Sequence, residues 1–97
     1  MEYSTSQILL DLEYVKDLLD TQNEKEEIHR IQSTINKFQR GVLYFVDKEY
    51  QMSRDYFYYC CEYLKYIESQ NKNAMKLVKT LFTRIAELNQ EACSHLR

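Results

Sequence analysis

The chain contains no proline, no tryptophan and a single glycine, Gly41, among 97 residues. A β-rich fold needs many tight turns, and those draw on Gly, Pro, Asn and Asp. Their scarcity makes an all-helical chain the natural expectation. One glycine also excludes a glycine-rich phosphate loop. No apolar run approaches the length of about 18 residues that a membrane-spanning helix requires, so no membrane insertion is expected. Charge of one sign is lacking too: the formal net charge is −2, which argues against a dedicated duplex-DNA binder and its basic excess. Cysteine is limited to three, an odd number, and the opening "MEYSTSQILLDLEYV" has no signal-peptide pattern. A reducing, cytoplasmic setting is the expectation.

What is present points to one helical domain over 1–97, a size that buries one modest core. Ser4 and Gln7 form a capping-box pattern, and Ile8, Leu12, Val15 and Leu19 recur on one helical face, so a first helix is expected over Thr5 to Asp20. "DTQN" at 20–23 breaks it. Asn23 is expected to cap the second helix, with Glu24, Glu26 and Glu27 at the positive end of its dipole. The second helix carries a heptad-like seam of Ile28, Ile31, Ile35, Phe38, Val42 and Phe45. In the same phase come Met52, Tyr56, Tyr59, Tyr63 and Tyr66. Two architectures follow. One turns at 46–50, with Asp47 as the cap of a third helix, and gives an antiparallel bundle of four helices. The other runs a single central helix from about 24 to 69, roughly 70 Å long, and is elongated and dimeric with coiled-coil seams. The turn is the preferred reading. "ESQNKN" at 68–73 opens the last helix, capped by Asn71 or Asn73, with Ala74, Val78, Leu81, Ile85, Leu88 and Ala92 on one face.

Within "GVLYFVDKEYQMSRDYFYYC", 41–60, Gly41 and Tyr44 are followed by Tyr50, Ser53, Phe57 and Cys60. These positions resemble one helical hairpin of the tetratricopeptide repeats, with Gly41, Ser53 and Cys60 as small residues that admit close helix approach. Lys37, Arg40 and Lys65 stand where that family has Trp, Leu and Pro. No second copy appears about 34 residues away, so a repeat array is not implied. "EYQMSRDYFYYCCEYL" and "RIAELNQ" also resemble helices of the microtubule-interacting-and-transport domains, at a shorter separation. Both resemblances imply a non-enzymatic helical protein-binding module.

The densest segment is "DYFYYCCEYLKY", 55–66. Helical phase divides it into a stripe of Ser53, Phe57, Cys60, Leu64 and Ile67, read as core, and a stripe of Met52, Tyr56, Tyr59, Tyr63 and Tyr66, rotated by about 100°. A buried tyrosine needs a partner for its hydroxyl. Four in line read either as rings closing the core with wet hydroxyls, or as a protein-binding face. Adjacent Cys60 and Cys61 cannot form a normal disulfide on a helix and are not a C-x-x-C motif. With Cys93, His29 and His95 they have no recognised zinc spacing, so no metal, no cofactor and no catalytic site are expected. Lys72, Lys76 and Lys79 align on the last helix, as a solvated face or a site for acidic protein or RNA phosphates. The expected function is a small adaptor, chaperone or regulatory subunit that docks a partner helix on the tyrosine stripe. The alternatives are a homo-oligomeric structural subunit, or a nucleic-acid-associated regulator that uses the lysines.

Overall fold

A computed structural model describes residues 4–97. Four helices follow one another: α1 (Thr5–Thr21), α2 (Lys25–Val46), α3 (Tyr50–Lys65) and α4 (Lys72–Ser94). Each packs on its two neighbours, and α4 closes the ring against α1. The short connections make consecutive helices antiparallel, and cross-helix bonds confirm the direction: Thr34 meets Cys60 and Gly41 meets Ser53, while Cys61 meets Phe82 and Arg54 meets Asn89. The Cα envelope measures 42 × 27 × 18 Å. A single 70 Å central helix therefore does not form, and the elongated alternative falls.

The periodic apolar residues build the core. Ile8, Leu12, Val15 and Leu19 of α1 meet Ile31, Ile35 and Phe38 of α2, Phe57, Cys60 and Leu64 of α3, and Ala74, Val78, Leu81 and Ile85 of α4. Burial of each large apolar side chain contributes about 1.5–3 kcal/mol against the entropy of ordering the chain. The tightest seam joins α2 to α3. A Cβ placed on Gly41 would lie 2.7 Å from Cε1 of Phe57, so only glycine lets the Phe57 ring settle against the α2 backbone. The buried hydroxyl of Ser53 donates to the Gly41 carbonyl at 2.8 Å, which removes the cost of burying a polar atom there. Among the described residues no buried side-chain N or O lacks a hydrogen-bond partner.

Two expected caps are corrected. Asn23 does not cap α2. It has φ 56 and closes α1, where the Glu24 N–H donates to the Leu19 carbonyl in a Schellman arrangement. The second turn repeats this scheme with Lys48 at φ 63 and the Glu49 N–H on the Tyr44 carbonyl. Asp47 is thus the C-cap of α2, not the N-cap of α3. Glu24 and Glu49 occupy the N-cap positions without side-chain caps. Ser4 accepts from the Gln7 N–H as expected, but the Gln7 side chain donates to Asp11 and does not complete the capping box. Of the two candidates for α4, Asn71 and not Asn73 is the cap, accepting from the Ala74 N–H. Glu24 and Glu27 have a further task. They accept from the Ser69 hydroxyl at 2.6 Å and the Glu68 N–H at 3.0 Å, tying the α3–α4 loop to the start of α2.

Candidate functional site

The close crossing at Gly41, Ser53 and Phe57 fixes the rotation of α3 against α2. Its small-residue stripe then points inward, and the Met52, Tyr56, Tyr59, Tyr63 and Tyr66 stripe is carried to the outer rim of the α2–α3 seam. Tyr56 is half-buried. Met52 is 40% exposed, Tyr59 47%, Tyr63 36% and Tyr66 61%. These rings are therefore largely outside the core. No tyrosine hydroxyl on this rim bonds a protein atom among the described residues, and none is buried without a partner, so the hydroxyls meet water.

The rings form a connected set. Tyr44 of α2 stacks on Tyr56 with centroids 5.5 Å apart. Tyr56 meets Tyr59 edge-on at 6.2 Å, and Tyr58 meets Tyr59 at 6.1 Å. The Lys37 ammonium lies 5.4 Å from the Tyr56 centroid, and Lys65 lies 5.6 Å from that of Tyr66, the range in which the ring face attracts a cation. A groove of about 210 Å³ runs along the seam between Ser33, Asn36, Lys37, Arg40 and Tyr63. Lys37, Arg40 and Tyr44 were not singled out as site residues from sequence. Their 3- and 4-residue spacing marks one stripe of α2, but only the position of α3 shows that this stripe faces the tyrosines.

The lysines of α4 do not join this site. Lys72, Lys76 and Lys79 are exposed on the outer face of α4, and Lys79 borders a separate α3–α4 depression with Met75, Ile67 and Phe82. A larger cavity of about 630 Å³ opens at the bundle end between Thr5, Val42, Phe45, Phe57, Leu88 and Glu91. Its lining is mixed, with Ser4, Arg84 and Glu87 beside the apolar residues.

The cysteines divide between two seams. The Cys60 thiol points at the Thr34 carbonyl of α2 at 3.5 Å, and that of Cys61 at the Phe82 carbonyl of α4 at 3.8 Å. Burial pushes the Cys60 thiol far above its ordinary value and the Cys61 thiol up to about 11. Both are thus protonated and poor nucleophiles near neutrality. Among the described residues no three His, Cys, Asp or Glu side chains converge as a metal site would require, and no helix is long and apolar enough to cross a membrane. His95 instead stacks on Tyr50 at 4.0 Å, with Phe45 edge-on to both, joining the end of α4 to the α2–α3 turn. In comparisons with protein-family models, curated proteins and solved structures, the chain matches none.

Proposed function

We propose that this chain is a non-catalytic protein-binding module, a small adaptor, chaperone or regulatory subunit of the cytoplasm, which docks a partner helix on the tyrosine-lined α2–α3 face. The observation that carries the reading is the row of Met52, Tyr59, Tyr63 and Tyr66, exposed side by side on a rigid helix. Tyrosine gives large contact area with few rotatable bonds, and its wet hydroxyl can exchange water for a partner's acceptor. An amphipathic helix is the occupant that a shallow seam between two helices seats.

The test places a photo-crosslinking phenylalanine at Tyr59 or Tyr63, and at Leu10 on α1 as control, in the native cell. A discrete protein adduct at 59 and 63, absent at 10, is expected. Equal labelling at all three positions, or none at 59 and 63, overturns the reading. A second reading rests on Lys72, Lys76 and Lys79, which have no ion-pair partner among the described residues. It makes α4 a contact for nucleic acid, and salt-dependent retention on RNA that is lost in a triple Lys→Gln variant tests it.

A further inference from the structure

We infer that the occupant of the tyrosine face is an acidic amphipathic helix of a partner protein. This rests on the docking role proposed above and adds the partner's chemistry.

Among the described residues, the face offers hydrogen-bond donors and positive charge with no unpaired carboxylate beside them. Between Glu27 and Asp47, α2 carries no acid. Lys37 and Arg40 lie along the groove beside Tyr63 and make no ion pair among the described residues. The acids nearest the crest of α3 are already engaged: Asp55 pairs with Arg54 at 3.1 Å and Glu62 with Lys65 at 3.5 Å. At the far end of α2, Glu27 is held by Arg30 at 2.7 Å. The free hydroxyls of Tyr44, Tyr56, Tyr59 and Tyr63 add donors around the two cations. Carboxylates are the acceptors that satisfy both kinds of group, through charge-assisted bonds. The stretch of α2 from Ser33 to Tyr44 covers roughly 16 Å at 1.5 Å per residue, enough for three turns of a docked helix. Its apolar side chains would rest on the Tyr59 and Tyr63 rings and Met52. A nucleic-acid strand also stacks on aromatic rings, but it needs a continuous basic track, and two cations on a chain of net charge −2 do not supply one.

The test uses three synthetic 18-residue helical peptides with one shared leucine stripe and a polar face made entirely of Glu, Lys or Gln. Each is titrated into isotope-labelled protein at low salt and followed by amide shifts. The Glu peptide is expected to perturb residues around Lys37, Arg40, Tyr59 and Tyr63, and to bind about tenfold or more tightly than the Lys peptide. The Lys37→Glu/Arg40→Glu variant, checked for an unchanged helical spectrum, should reverse that order. Equal binding of all three peptides, or shifts centred on α1 or α4, overturns the inference. So does tighter binding of a 12-nucleotide oligouridine to the same face, or self-association in which Leu10 and Tyr14 of a second copy occupy it. If the acidic preference is absent while the in-cell adduct at Tyr59 and Tyr63 persists, the docking role stands and the partner's chemistry alone is rejected. If no peptide binds and no adduct forms, both fall.

Discussion

The two faces of α3 are built from neighbouring residues and meet opposite environments. Phe57 and Tyr56 are adjacent in sequence, yet Phe57 is enclosed by the bundle while Tyr56 sits at the rim with its hydroxyl in water. The inner stripe of Ser53, Phe57, Cys60 and Leu64 alternates small and large side chains, and the small ones face the α2 backbone at Gly41 and Thr34. The outer stripe is uniformly large and, apart from Met52, ends in hydroxyls. A face that must interlock with a close neighbour selects for size. A face that meets water selects for a polar tip and leaves ring area to be covered by something else. Aromatics that no close packing requires are what the docking proposal takes as its face.

The comparison breaks most severely at Phe57. Phe57→Ala should cost about 3–5 kcal/mol in unfolding free energy, as expected for a fully buried ring, measured by denaturant melts. Gly41→Ala comes next. Overpacking against Phe57 costs about 1–3 kcal/mol, offset by up to about 1 kcal/mol of helix propensity. In Gly41→Ala/Phe57→Leu the two costs should fail to add, because both residues share one contact.

The buried thiols, Cys60 on this inner face and Cys61 on the seam with α4, give a pH signature. Their pKa values are raised in the folded chain from an ordinary value of 9.0, so the unfolded chain sheds these protons first. Stability is intact below pH 9 and falls as pH rises from there through about 11 for Cys61, with Cys60 extending the loss. Melts at pH 8 and pH 10 should diverge less in a Cys60→Ala/Cys61→Ala variant. On the outer face, Tyr59→Ala/Tyr63→Ala should change stability by less than about 1 kcal/mol while abolishing the cellular adduct formed by a crosslinker placed at Tyr66. If the pair costs as much as Phe57→Ala, the rings are core and the contrast between faces disappears. The smallest effect concerns the turn that joins α2 to α3. Lys48 stands at φ 63, where a side chain is strained, so Lys48→Gly should stabilise by about 0.5–1 kcal/mol and leave both faces unchanged.

Much of this was legible in the chain. Ile8, Leu12, Val15 and Leu19, and likewise Phe57, Cys60 and Leu64, are buried as their spacing predicts, because helical periodicity is a local property. Ser4 and Asn71 cap as expected for the same reason. Asn23 and Asp47 were misassigned because a polar residue between two helices can close one or open the next. The choice is made by backbone geometry, here the left-handed residue and the bond that crosses the turn. The tyrosine stripe was visible as a stripe, but Lys37, Arg40 and Tyr44 beside it were not, since they lie on another helix.

By itself the sequence determined that the protein is helical, that each helix has one apolar face, and that α3 carries aromatics on two faces of different character. These depend on side-chain chemistry repeated at the helical period, which needs no knowledge of neighbours. Only the tertiary structure decided that the chain turns at Lys48, that the tyrosines lie at a rim, and that two cations of α2 stand among them. Those outcomes depend on how closely two helices approach. That distance is set by a single missing Cβ at Gly41, whose partner ring lies sixteen residues further along the chain.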